Sequence, residues 1–347
     1  MYKKVVVLLL VLSLVFTIAA CSSPGGQTGS QSGSKDKYVV GYDIYFLGNS
    51  WSVQLYKEFV AEAELHKDVI ESIVYTDSEG NAEKQVKNLQ DMIAKKVDII
   101  LVTPCSPTAI VPVVKEAMDK GIKVVLVASA IDSQDYDVLV NVDDFQFGVV
   151  SAEWLAEQIN GKGNIIALNG MAGNSTSEKS FSGAKSVFEK YPDIKIVGDV
   201  NADWDYATAK MATSNLLAAN PELDAVWTQG GAMTMGAIEA FEAAQRPLVP
   251  MTGQDYNGLL KLWIDRMDQG FSCIGPSKPT WLSAESLRRG LQILAGESVE
   301  KDSILPSPLV TDDNVHDYVR PEFPDELWCM TWLNDEQIKA MFSEMMQ

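Results

Sequence analysis

Val97-Asp98-Ile99-Ile100-Leu101-Val102-Thr103-Pro104 is an apolar, largely branched run that halts at a proline. Such a run, without polar alternation, describes a strand buried on both faces, as in a parallel sheet covered by helices on each side. Around it, Tyr38–Tyr45 (YVVGYDIY), Ile73–Tyr75 and Lys123–Val127 (KVVLV) read as further strands. Helical patterns lie between them, over Ser52–His66 and after the loop Asp77–Asn81, where Val86, Leu89, Met92 and Ile93 share a face. The order then returns in Asn164–Leu168 (NIIAL), Ile196–Val200, Asp224–Trp227 and Leu248–Met251. Val39 and Ile165, Asp77 and Asp203, and Asp98 and Asp224 each stand 126 positions apart. A single offset over several elements points to duplication. The expected fold is α/β, with two similar lobes, each a parallel sheet flanked by helices, joined by hinge strands near Asn141, Val249–Asp255 and Ile274–Lys278.

Two lobes also suit the length, since 347 residues exceed the roughly 250–300 at which a single core stops growing. With 28 Lys plus Arg against 47 Asp plus Glu, the formal charge is −19, which argues against nucleic acid as a partner. Two histidines in the chain leave little material for a His-based metal or triad site. Cys105, Cys273 and Cys329 are too widely spaced to outline a disulfide framework or a metal signature.

The amino end is a separate matter. Lys3 and Lys4 precede an apolar run from Val5 to Val15, and then Ile18-Ala19-Ala20-Cys21. A basic start, a short apolar stretch and small residues describe a secretory signal over 1–20, too short to favour a spanning anchor. Ile-Ala-Ala-Cys resembles the bacterial lipobox, which implies acylation of Cys21 and a place on the outer side of the cytoplasmic membrane, held by a lipid anchor. Ser22 to Lys37 is nearly all Ser, Gly, Gln and Pro, a flexible tether over 21–37. The expected body comprises one lobe over 38–140 plus 279–311, a second over 141–278, and a C-terminal extension over 312–347.

In parallel sheets of this kind, ligands lie beyond the carboxyl ends of the strands. The loops there combine aromatic planes with amides, hydroxyls and carboxylates. Tyr45, Asn49, Trp51, Thr103 and Ser129 come from one lobe; Asn174, Trp204, Asp205, Gln229 and Asp255 come from the other. A polyhydroxylated ligand suits this mixture, because its C–H faces pack on indole rings while its hydroxyls donate to carboxylates and accept from amides. Basic residues nearby are few, Lys179 and Lys278 being the nearest, and no Gly-rich phosphate cradle is present. Carboxylate pairs such as Glu178, Asp203, Asp205 and Asp255 could in principle serve glycoside hydrolysis, but nothing fixes their separation.

These loops, in this order, resemble the periplasmic binding proteins of the ribose/galactose type. The carriers are Val40-Gly41-Tyr42 with Gly48-Asn49-Ser50-Trp51, Ile99–Thr103-Pro104, Asn141-Val142-Asp143-Asp144-Phe145, Gly170–Ser175, Ala202–Asp205, Ala225–Trp227 and Gly253-Gln254-Asp255. The resemblance implies a monomeric protein without catalytic activity, cofactor or metal, which hands a small neutral sugar or polyol to an ABC permease. A sensory role, presenting ligand to a chemoreceptor or histidine kinase, and a cationic ligand such as an amino sugar are the alternatives. It also implies that Asn49 and Trp51 open the first-lobe site, that Trp204 stacks on the sugar and that Asp255 accepts from its hydroxyls. Ala128-Ser129 stands where ribose binders carry Asp-Arg, and Glu178–Ser180 where they carry an Arg, which speaks against ribose itself. The tail, with Trp328 and Trp332, is longer than the family minimum and is expected to pack across the lobes.

Overall fold

The computed structural model describes residues 37–345; the expected signal over 1–20, Cys21 and nearly all of the expected tether lie outside them. The first half runs β1 (Tyr38–Ile44), α1 (Ser50–Leu65), β2 (Ile70–Asp77), α2 (Ala82–Ala94), β3 (Ile99–Val102), α3 (Val111–Asp119), β4 (Lys123–Val127) and β5 (Val138–Val142). The second runs α4 (Asp144–Gln158), β6 (Lys162–Asn169), α5 (Ser175–Phe188), β7 (Asp193–Asn201), α6 (Tyr206–Ala219), β8 (Ala225–Thr228), α7 (Gly231–Ala243), β9 (Met251–Thr252), α8 (Asn257–Met267) and β10 (Cys273–Pro276). The chain then returns through α9 (Leu282–Leu294), β11 (Asp302–Leu305), β12 (Leu309–Val310), α10 (Val315–Tyr318) and α11 (Asp335–Met345). Two six-stranded sheets result, ordered β11-β5-β4-β3-β1-β2 and β12-β10-β9-β8-β6-β7. Their pairings are parallel except for β10 with β12.

The internal strands are apolar throughout because helices cover both faces. All four residues of β3 and of β8 are buried, and each sheet separates two apolar clusters. Val40, Phe59, Val125 and Leu287 fill one side of the first sheet, and Met92, Ile100, Val114 and Val124 the other. The edge strand β7, covered on one face, alternates buried or half-buried with exposed residues instead.

The duplication extends to hydrogen bonds. Asp98 donates its N–H to Val39 O (2.9 Å) and accepts from Val39 N–H at Oδ2 (2.7 Å). Asp224 does the same to Asn164 (2.8 and 2.7 Å). Each carboxylate thus starts a central strand in register with its neighbour.

Three expectations need correction. The segment Val249–Asp255 does not join the sheets, since β9 lies between β8 and β10 inside the second. Leu248–Met251 shortens to a two-residue strand, because Pro247 and Pro250 lack the N–H a ladder needs. The passages between sheets are instead the links that follow β5, β10 and β11. The residues expected in the first lobe up to 311 divide as well, with β11 in the first sheet and β12 in the second. No helix among the described residues is long and apolar enough to cross a membrane.

Three buried carboxylates face only neutral donors. Asp43 accepts from Thr76, Ser78, Gln85 and Asn88; Glu58 from Thr280, Thr331 and the Trp332 N–H; Asp255 from Ser277 and the Met330 N–H. Burial raises the pKa of all three above the ordinary carboxylate value, against the pull of those hydrogen bonds. The fold therefore favours their protonated forms. Their contribution is full below the unfolded value, about 4, and is lost as pH rises through the raised folded value. Melting temperature is expected to rise as pH falls through the raised folded values toward the unfolded one. Glu58→Gln should flatten that slope relative to the parent in pH-resolved melting curves, since its carbonyl can still accept both threonine hydroxyls.

Candidate functional site

The carboxyl ends of both sheets converge on a cavity of about 60 Å³. Tyr45, Asn49, Trp51, Thr103 and Ser129 line it from the first half, and Asn174, Trp204 and Gln229 from the second. Eight of the ten sequence-predicted ligand positions therefore meet there.

Asn49 and Asn174 occupy matching places, as N-caps of α1 and α5. Their side-chain carbonyls accept from the backbone N–H groups of Ser52 and Thr176, each at 2.9 Å. The carbonyl is thereby committed to the helix, and the NH₂ is left on the cavity wall. That of Asn49 donates to Tyr45 Oη (3.0 Å); that of Asn174 has no partner among the described residues.

The two indoles are held differently. Trp51 donates its ring N–H to the carbonyl of Lys278 (2.8 Å), which fixes its edge. Trp204 follows Asp203 in the left-handed region, both at φ 55°, and its ring lies across Gly170. A Cβ at Gly170 would come within 2.1 Å of the indole, so only glycine lets the ring lie on the backbone there. Gln229 secures this floor. Its Oε1 accepts from Gly170 N–H (3.1 Å), while its NH₂ donates to Asn169 Oδ1 (2.9 Å) and Ser177 O (3.0 Å). Gln229 lines the cavity, but its amide hydrogens are engaged by protein.

Sequence reasoning left out the charged pair in the wall. Lys278 Nζ donates to Asp144 Oδ1 (2.6 Å) and Thr176 Oγ1 (2.9 Å), and Asp144 Oδ2 accepts from Asn141 Nδ2 (2.9 Å). Burial lowers the pKa of Lys278 from the ordinary lysine value, and Asp144 opposes that shift. Among the described residues of the lining, the one cation is thus neutralised by the one anion. Ser129 Oγ, by contrast, is buried with no hydrogen-bond partner among the described residues. A buried hydroxyl in that state is costly unless a guest completes it.

Phe147, Thr176, Ser180, Gln254 and Trp328 also belong to the lining. The sequence marks Lys278 only as one of the basic residues nearest these loops, and Trp328, 277 positions beyond Trp51 in the chain, only as part of a tail packing across the lobes.

Two predicted positions lie outside the lining. Asp205 is exposed and caps α6, its carboxylate accepting from Thr208 N–H and Oγ1, both at 2.7 Å. Asp255 is wholly buried, with Ser277 and Met330 on its two oxygens. Its carboxylate fastens the chain's tail rather than facing the cavity, which corrects the expectation for this residue. Cys21 lies outside the described residues.

The family model of the periplasmic binding protein domain matches residues 40–297. A xylitol-binding protein of Mycolicibacterium smegmatis is 27% identical over 312 residues, or 86% of this chain and 82% of that protein. An ABC transporter solute-binding protein from Bacillus halodurans, solved with bound myo-inositol, superposes with a TM-score of 0.74 at 26% identity, covering 83% of this chain and 98% of that one. The fructose-binding periplasmic domain of a hybrid two-component system superposes with a TM-score of 0.72 at 25% identity, covering 81% and 92%.

Because the Trp204 ring rests on Gly170, Trp204→Ala and Gly170→Ala should weaken ligand binding alike. Loss of an aromatic face of this kind amounts to about 1–3 kcal/mol, or roughly 5- to 150-fold in Kd. Calorimetry with the compounds named below measures it. Trp204→Ala should leave the ligand-free melting temperature nearly unchanged, whereas Gly170→Ala should lower it through overpacking.

Proposed function

We propose that this chain, which belongs to the periplasmic binding protein domain family, captures a small neutral sugar or polyol between its two sheets. Members of the family are extracytoplasmic solute-binding proteins of transport rather than enzymes, and we assign no catalytic role to the cavity. The observation that carries this reading is the cavity's charge balance. Lys278 and Asp144 neutralise each other, while the groups left to meet a guest are neutral: Ser129 Oγ, the amide of Asn174 and the faces of Trp51 and Trp204. Sugar hydroxyls and C–H faces complement that set; among the described lining residues a phosphate would find no unpaired cation, and a cationic amino sugar no unpaired anion. The xylitol-binding relative and the myo-inositol-bound neighbour support the same ligand class.

Delivery to an ABC permease and anchoring through an acylated Cys21, with 1–20 removed and 21–37 as tether, complete the proposal. Binding would close the half built on the first sheet against the half built on the second, about the links that follow β5, β10 and β11, as in hinge closure generally. The fructose-binding domain of a two-component system favours one second reading, ligand presentation to a sensor.

A thermal-shift screen over xylitol, D-ribose, D-fructose, D-allose, myo-inositol, glucosamine and sugar phosphates tests the ligand class. At 100 times Kd, a ligand stabilises the fold by about 2.7 kcal/mol. We expect hits among the neutral compounds; hits confined to phosphates would overturn the reading. Cys21→Ser should move the protein from the membrane fraction to a soluble or uncleaved form. A mature, membrane-bound Cys21→Ser protein would refute the anchor.

A further inference from the structure

Beyond β12 the chain does not leave the body but turns back over it, and Trp328 enters the cavity wall. On the second-sheet side, the buried Asn257 donates to the carbonyls of Arg320, Phe323 and Pro324 (2.8–3.1 Å) and accepts from Arg320 N–H (2.9 Å). Cys329 N–H donates to Asp255 O (2.9 Å), and Trp328 forms an isolated antiparallel bridge with Tyr256, their rings edge to face at 5.5 Å. On the first-sheet side, Gln54 in α1 holds Trp328 by both backbone groups, accepting from its N–H (2.9 Å) and donating to its carbonyl (2.8 Å). The indole N–H donates to Ser50 Oγ (3.1 Å), at the helix start that Asn49 caps.

A residue pinned through its backbone from one half, and through its neighbours and ring from the other, has little freedom. Trp328 is 5% exposed, and its ring closes the cavity at the α1 end. We infer that Trp328, supplied by the C-terminal tail, is a specificity-determining residue of the ligand site: its indole limits the guest to a single ring or a short polyol. This rests on the function proposed above, and it names what that site excludes. Trp332, four residues on, serves a different end. It stacks on Trp281 (4.7 Å, 3°) outside the cavity, under the Arg288 guanidinium, and fastens the tail without touching the guest.

The test compares the parent with Trp328→Ala, Trp328→Phe and Trp332→Ala, full-length after the signal. Each is titrated with xylitol, D-fructose, myo-inositol and the two-ring sugar maltose, and its ligand-free melting temperature is measured. The readout is the ratio of Kd values for one-ring and two-ring compounds, which a general loss of stability would not move. Trp328→Ala should weaken the parent's best small ligand at least tenfold and shift the ratio at least tenfold toward maltose. Trp328→Phe should stay within about threefold of the parent, and Trp332→Ala should lower the melting temperature with the ratio unchanged. Should Trp328→Ala fail to fold, Trp328→Leu, which fills volume without a flat face, carries the same expectation. An unchanged ratio in the folded Trp328 variants overturns the inference while leaving the proposed function intact. A parent that binds only compounds outside the hydroxylated class overturns the proposed function. A parent that binds nothing overturns both.

Discussion

A lysine and an aspartate from two different passages between the sheets meet where water barely reaches. Lys278 follows β10 and Asp144 follows β5, and both side chains are less than a tenth exposed. Removing one partner from such a pair typically costs about 3–5 kcal/mol, because the other is left buried and charged. Much of the site hangs on this contact. The Lys278 carbonyl orients Trp51, its ammonium orients Thr176, and Asp144 holds Asn141 at the end of β5. An apolar pair of equal volume would serve stability as well or better. What it would not supply is a polar wall with no net charge.

The two halves repeat a scaffold but not a surface. The aspartate brackets at Asp98 and Asp224, and the capping asparagines at Asn49 and Asn174, recur in matching places because they solve local problems of strand register and helix initiation. The residues that would meet a guest diverge. Trp51 is fixed through its nitrogen, Trp204 through contact with a bare backbone, and Trp328 through a segment with no counterpart in the first half. Local backbone chemistry tolerates few substitutes, whereas a wall needs only a shape.

This difference also explains what could be read from the chain. The strand runs, the common offset and the loops that bear the site follow from short-range pattern, and Trp51, Trp204 and Asn174 lie where that pattern put them. Asp255 misled because an aspartate at a strand's carboxyl end looks the same whether it faces a cavity or, as here, takes the N–H of Met330 from the tail. Asp205 misled for a related reason, since a capping carboxylate and a ligand-binding one occupy the same kind of loop. The Asp144–Lys278 pair joins residues 134 positions apart, and no periodicity reports such a meeting.

The first sheet has an edge that arrives late. Strand β11 pairs with β5 only after the whole second sheet but its last strand has been made, and α9, which packs on α1 and over β4 and β5, comes late as well. A chain released amino end first holds the bulk of that half without the pieces that cover it. Long-range pairing of this kind folds slowly. The half that emerges first therefore stays without its last strand and its covering helix until nearly the full length exists, so the two halves complete their folding together rather than one after the other.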